Sequence, residues 1–176
     1  MFPHNGLCFR VVEESDLERM RQLRNDPATW IHLTDPYAIM AEAQRRWFAA
    51  LASRTDRMYF VVCDDEHDFI GIVRMDEYDR LHRSIRVGAD VVPELRGKGY
   101  GRRIYEAVKK YCFDVLNLHR VWLAVLDTNQ HAIRLYEKQG FQVEGRYREA
   151  IFRDGRYHDY ILMSILEEEY RRDSIV

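Results

Sequence analysis

The sequence predicts one α/β domain: a single mixed, mostly antiparallel sheet of about seven strands, flanked by about four helices. Three observations predict it. Short β-branched apolar stretches outnumber stretches with helical spacing. Some of those stretches are joined by tight polar turns, as at Asp64-Asp65-Glu66-His67-Asp68 and at Asp154-Gly155, which read as hairpins. Others are joined by amphipathic helical segments long enough to be crossovers. The 176 residues are enough for one proper core, and 47% hydrophobic with 32% charged residues is ordinary for a globular chain.

In chain order, Leu7 to Val12 is a short apolar strand. Ser15-Asp16-Leu17-Glu18 has the Ser-x-x-Glu form of a capping box, and Leu17, Met20 and Leu23 follow at helical spacing until Asn25-Asp26-Pro27 ends the helix. Residues 28–38, with Trp30, His32, Asp35, Pro36 and Tyr37, form a loop or a short irregular helical piece. A second helix places Ile39, Ala43, Trp47 and Leu51 four residues apart. Met58 to Cys63 and Phe69 to Met75 pair as a hairpin; a polar stretch from Asp76 to Arg83 then leads into a strand from Ile85 to Val92. The third helix has apolar residues at Ile104, Ala107, Val108, Tyr111, Cys112 and Val115. Arg120 to Leu126 is almost continuously apolar, as a buried strand is. Asn129 to Gln139 is the fourth helix, stopped by Gly140. Phe141 to Ile151 and Tyr157 to Leu166 are the last strands, and the charged tail from Glu167 is expected to fray.

Composition removes several function classes. A net charge of −2 offers no global attraction to nucleic acid or to an anionic membrane. No apolar run reaches membrane-spanning length, and Met1-Phe2-Pro3-His4-Asn5 lacks the build of a signal peptide. Cys8, Cys63 and Cys112 are odd in number and sit in apolar stretches, so they read as buried thiols in a reducing compartment, the cytoplasm. The histidines at 4, 32, 67, 82, 119, 131 and 158 show no ligand spacing, and no metal site is expected.

The chemistry concentrates between the strand ending at Val92 and the helix beginning near Arg102. Pro93-Glu94-Leu95-Arg96-Gly97-Lys98-Gly99-Tyr100-Gly101-Arg102-Arg103 is a glycine-rich basic turn. A strand, such a turn and a helix in that order aim the free amides of a helix N-terminus at an anion, above all a phosphate. Arg96, Lys98, Arg102 and Arg103 add positive charge. Neither a Walker loop nor a Gly-x-Gly-x-x-Gly dinucleotide fingerprint fits the glycine spacing. Asn129 stands at a helix start, where its amide can cap the helix or bond a ligand amide. Tyr136 follows two turns on along the same face, as a site residue or as a core aromatic.

Arg-x-x-Gly-x-Gly at Arg96, Gly99 and Gly101 resembles the acetyl-CoA pyrophosphate loop of the GNAT superfamily of N-acetyltransferases. Asn-x-x-Ala-x-x-Leu-Tyr-x-x-x-Gly-Phe from Asn129 to Phe141 resembles the later segment of the same family. Val-Leu-Asn-Leu (115–118), Val-Glu-Gly (143–145) and Phe-x-x-Gly-x-Tyr (152–157) are similar to the branch of bacterial spermidine, ribosomal-protein N-terminal and amino-sugar acetyltransferases. The resemblance covers residues 58 to 166 well and residues 25–57 thinly.

The resemblance implies a GNAT fold with the sheet splayed in the middle and acetyl-CoA as co-substrate. The pyrophosphate would rest on Arg96, Gly97, Lys98, Gly99, Tyr100, Gly101 and Arg102. The backbone of Val91 and Val92 would pair with pantetheine and polarise the thioester, Asn129 would hold the pantetheine arm, and Tyr136 would protonate the departing thiolate. The reaction implied is direct attack by a primary amine of a small molecule, without a covalent enzyme intermediate. Many relatives offer a glutamate on the strand before the loop; Ser84-Ile85-Arg86-Val87-Gly88 has Arg86 instead, which leaves the base open, with a water chain to Asp76, Glu77 or Asp90 as one route. Residues 28–57 mix Asp35, Glu42 and Asp56 with Arg45, Arg46, Arg54 and Arg57, while Trp30, Tyr37, Trp47 and Tyr78 can stack on a substrate. That mixture ranks a nucleotide-linked amino sugar slightly above a polyamine as acceptor. A protein N-terminus and a non-catalytic acetyl-CoA-binding module are the alternatives. A homodimer is expected only by analogy.

Overall fold

The computed structural model describes residues 2–35, 37–66 and 68–173, and for Asp173 the backbone alone. Pro36 of the expected loop and His67 of the expected turn lie outside them. Among the described residues eight strands are hydrogen-bonded in the order β1-β2-β3-β4-β5-β6-β8-β7, and six helices accompany them. The chain forms two compact units, Met1–Asp76 with Gly88–Arg103, and Glu77–Val87 with Ile104–Val176.

The first unit contains β1 (Phe2–His4), β2 (Leu7–Val11), β3 (Met58–Asp64), most of β4 (Phe69–Asp79) and the end of β5 (Ser84–Val91), with α1 (Leu17–Asn25), α2 (Pro27–Trp30) and α3 (Ala41–Leu51). β1 adds an eighth strand to the expected seven. Its signal is Asn5-Gly6, whose φ of 48° and 68° suit a two-residue hairpin, and Phe2 stacks on Phe9 with ring centroids 4.6 Å apart. Met20 and Leu23 of α1 pack on Val61, Cys63, Phe69 and Ile72, with Cys8, Val12, Trp47 and Val92 around them. The expected Ser15–Glu18 capping box is replaced by one two residues earlier. There the Glu13 N–H donates to Asp16 Oδ2 at 2.8 Å, and Arg10 grips the same carboxylate at 2.7 Å through both Nη1 and Nη2. Burial alone would raise the Asp16 carboxyl; the Arg10 fork and the Glu13 amide outweigh it and hold it below its usual range.

The second unit contains the rest of β4 and β5, β6 (Arg120–Leu126), β7 (Gln142–Arg153) and β8 (Arg156–Leu166), with most of α4 (Tyr100–Lys110), α5 (Gln130–Lys138) and α6 (Glu167–Asp173). β5 pairs parallel with β6 over Ser84–Arg86 and Arg120–Trp122; β6–β8 and β7–β8 are antiparallel. The core holds Ile85, Ile104, Cys112, Phe113, Leu118, Val121, Leu123, Met163 and Ile165.

Three expectations change here. β4 runs on to Asp79 through the stretch read as a polar connection. The tail from Glu167 is α6, held by Tyr170 stacked on Phe113 at 4.8 Å and by Arg171 on Asp114. Residues Tyr111–Val115 form a π-turn, in which Leu116 N–H reaches Tyr111 O at 3.0 Å. The extra residue rotates the face, so Val115, counted as apolar core by a 3.6 period, is 66% exposed.

Candidate active site

In the first unit, β5 ends at Val91 and the chain turns through a 3-10 segment, Pro93–Leu95, into the glycine loop. Gly97 and Gly99 have φ of 75° and 85°, a region costly to any residue with a Cβ. A Cβ added at either would meet no atom within 4 Å, so the loop faces open space. Gly97, Lys98 and Gly99 are exposed. The first helical bond of α4 is Arg103 N–H to Gly99 O at 3.3 Å. The amides of Tyr100, Gly101 and Arg102 therefore lie in the first turn, where a helix has no internal partner for them. Backbone amides in the first turn of a helix are a kind of site that can bind phosphate.

The arginines behave differently from the basic-patch reading. Arg96 donates from Nε to Val91 O (3.0 Å), from Nη1 to Ala28 O (2.7 Å) and from Nη2 to Thr29 Oγ1 (2.5 Å). Its own amide donates to Pro93 O at 3.2 Å. Arg96 thus braces the loop against β5 and α2. Arg103 donates to Asn5 O and lies over the Tyr100 ring, 5.2 Å from its centroid.

Val91 and Val92 also separate. Val92 N–H donates to Ile70 O at 3.0 Å and belongs to the β4 ladder. Alternation along the strand turns Val91 N–H to the opposite edge, so Val91 is the residue of the two whose amide can serve a ligand. Gly71 lets β4 approach here: a Cβ on it would sit 2.1 Å from Asp90 O.

In the second unit, Asn129 caps α5, its Oδ1 accepting from Ala132 N–H at 3.2 Å. The cap uses the oxygen and leaves the amide nitrogen as the donor end. Tyr136 lies two turns along, in an aromatic cluster with Tyr105 (5.0 Å, 67°) and Phe141 (6.0 Å, 56°). The Tyr105 hydroxyl donates to the Tyr136 hydroxyl at 3.4 Å. Tyr105 has no sequence signal of a role, because 31 residues separate it from its partner.

Each carboxylate considered for the base has a partner. Asp76 accepts from Tyr59 OH at 2.9 Å. Asp90 lies 3.3 Å from Arg74 and 4.0 Å from Arg24. Glu77, in the left-handed region at φ 54°, pairs with Arg86 at 3.0 Å. Earlier in the chain, Asp56 is shared by Arg54 and Arg57 at 2.6 and 3.1 Å, and Trp47 packs edge-on against Tyr59 at 5.0 Å. Cys112 is fully buried, which pushes its thiol up and away from nucleophilic use. Among the described residues no cluster of three or more His, Cys, Asp or Glu could hold a metal, and no helix is long and apolar enough to cross a membrane.

Comparison with known proteins agrees with this geometry. A family profile described as an acetyltransferase (GNAT) domain matches residues 6–142. The spermidine N(1)-acetyltransferase of Vibrio cholerae serotype O1 is 34% identical over 170 residues, covering 95% of this chain and 96% of the relative. The crystal structure of the spermidine N-acetyltransferase from Vibrio cholerae with CoA and spermine superposes with a TM-score of 0.90 at 32% identity, over 94% of this chain and 98% of that one. A dodecameric structure of the Vibrio cholerae enzyme in an intermediate state gives 0.83 at 33% identity, over 96% and 98%. The chain belongs to the GNAT family and is an acetyl-CoA-dependent N-acetyltransferase, of the same branch as the bacterial spermidine enzymes.

Proposed function

We propose that this enzyme moves the acetyl group of acetyl-CoA onto a primary amine of a polyamine, and that residues 1–176 act as one catalytic domain. The observation carrying this reading is the near full-length match to spermidine N-acetyltransferases, at 34% identity and a TM-score of 0.90. The family profile also spans segments of both compact units.

The proposed residue roles use the geometry described above. The amides of Gly97 and of Gly99 to Arg102 hold the pyrophosphate, while the Lys98 amide, bonded to Leu95 O at 3.4 Å, and Arg96 keep the loop in shape. Val91 N–H polarises the thioester carbonyl. The Asn129 amide nitrogen donates to pantetheine, and Tyr136 gives its proton to the leaving sulfur. The expected location is the cytoplasm, supported by three free thiols. Self-assembly is expected on the example of the dodecameric relative.

Arg86 favours a second reading, an amine that also carries an anionic group, such as a nucleotide-linked amino sugar. It stands where the family resemblance leads us to expect a glutamate, and it pairs with Glu77. A thiol-release assay over spermidine, spermine, an amino-sugar nucleotide and a peptide with a free N-terminus tests both. Preference for spermidine or spermine supports the first reading, and preference for the nucleotide supports the second. Preference for the peptide overturns both in favour of protein N-terminal acetylation. CoA binding without turnover on any amine would make the chain a binding module.

A further inference from the structure

We propose that Cys8 and Cys63 are a modification site, a dithiol that closes into a reversible disulfide between β2 and β3. The two cysteines are register partners on these antiparallel strands. Both are free thiols, Cys8 partly exposed and Cys63 buried. Directly opposed residues of a ladder point to the same face of the sheet. That face is the one under α1: Cys63 packs with Met20 and Leu23, and Cys8 borders the same cluster. The acetyl transfer proposed above uses neither thiol.

The spacing suits a bond that can be undone. Asn5-Gly6 is a two-residue turn flanked by the pair His4 and Leu7. Leu7 therefore turns its backbone groups to β1, and Cys8 turns its own to β3. Pro3, opposite Cys8 on β1, has no N–H to offer. On β3, Asp64 N–H donates to Asp68 O at 3.2 Å, on the β4 side, so the preceding residue, Cys63, faces β2. Cys8 and Cys63 are thus a hydrogen-bonded pair, with Cα atoms about 5.5 Å apart. A disulfide accepts Cα separations of about 4.4–6.8 Å, but it draws the Cβ atoms to about 3.5–4.5 Å, closer than the about 4.5–5.5 Å of opposed residues. The bond is within reach and strained, and strained disulfides are the readily reduced, regulatory kind.

Arg10 assists. It follows Cys8 by two residues on the same face of β2, with its guanidinium on Asp16 at 2.7 Å. Burial raises the Cys63 thiol above its ordinary range, and the Arg10 charge beside it works against that rise.

The exchange balances with a low-molecular-weight disulfide as the oxidant. The Cys8 thiolate, the more exposed, attacks one sulfur of the reagent; a mixed disulfide forms and one reagent thiolate leaves. The Cys63 thiolate then attacks the Cys8 sulfur, the Cys8–Cys63 bond forms, and the second reagent thiolate leaves. The two protons lost by the cysteines end on the two reagent thiols, and two electrons pass from protein to reagent. Excess thiol runs the sequence backwards. In a reducing compartment the pair stands open, and oxidation closes it. The closed bond ties off residues 9–62, and with them α1, α2 and α3. Cys112, fully buried in the other unit, takes no part.

The test incubates the full chain in glutathione buffers of increasing oxidised fraction, quenches by alkylation and reads the products by mass spectrometry. Expected is a species with one alkylated cysteine and a core mass about 2 Da lighter, two hydrogens having gone to the oxidant. Proteolysis should yield a peptide joining Cys8 to Cys63, and dithiothreitol should restore three alkylatable thiols. Cys63→Ala should stop at a glutathione adduct on Cys8, and Cys112→Ala should oxidise as the wild type does. A wild-type chain that keeps all three cysteines alkylatable across the series overturns the proposal. So does one that stops at the Cys8 adduct, or one that joins Cys8 between two copies. These wild-type readouts hold whether or not a variant folds.

Discussion

The glycine loop and the start of α5, the two regions proposed above to hold acetyl-CoA, are built in opposite ways. The loop is a shape in backbone: two glycines at positive φ, open space above them, and the first turn of α4 behind them. Its flanking arginines, Arg96 and Arg103, are spent on carbonyls and a hydroxyl of the protein itself. The α5 region works through side chains, with the Asn129 amide at the cap and the Tyr136 hydroxyl in an aromatic cluster. A backbone site tolerates changes of side chain and fails when the chain path changes. A side-chain site does the reverse.

The comparison breaks most severely at Gly71. Gly71→Ala drives a methyl to 2.1 Å from Asp90 O, so β4 and β5 must part where Val91 is presented. A loss of about 3 kcal/mol in urea unfolding is expected; wild-type stability would show that β5 does not need this close approach. Next comes Tyr136→Phe, which keeps the ring and deletes the proton. A kcat drop of about 10²-fold at unchanged KM for acetyl-CoA is expected, and an equal rise in KM would assign Tyr136 to binding instead.

Smaller is the effect of Gly99→Ala. The added methyl touches nothing, so backbone strain of roughly 1–2 kcal/mol is the whole cost. It should appear in calorimetry as weaker CoA binding with kcat kept. Arg96→Lys keeps the charge and loses the three-way brace. CoA affinity several-fold weaker than wild type is expected; full affinity would mean that the charge itself serves the phosphate.

The mildest test is alkaline. Burial, with the Asp76 carboxylate beside it, pushes the Tyr59 phenol up to about 12. A folded-state value raised above the ordinary 10 stabilises fully below pH about 10 and is lost as pH rises toward 12. Tyr59→Phe should flatten that part of a melting-temperature profile, and an unchanged slope would place the alkaline transition elsewhere.

Much of this was legible in residue order. Strand and helix types follow from periods of two and 3.6, and α5 is capped by Asn129 and ends before Gly140, close to the reading of residues 129–139. Errors fall where the period breaks without a local signal: the π-turn at Tyr111–Val115, β4 continuing to Asp79, and a tail that becomes α6 through Phe113 and Asp114. β1 was missed although Asn5-Gly6 announces its turn.

Gly97, Gly99 and the helix behind them follow from local chemistry, since positive φ and the start of a helix depend on neighbours a few residues away. The family and the shape of the glycine loop were therefore within reach of the residues in order. The use of each charged side chain was not. Arg96 meets Thr29 across 67 residues, Arg103 meets Asn5 across 98, and Tyr105 meets Tyr136 across 31. Such pairings are settled when distant segments pack, because a guanidinium goes to whichever acceptor the packed chain leaves within 3 Å, and no spacing along the chain encodes that choice.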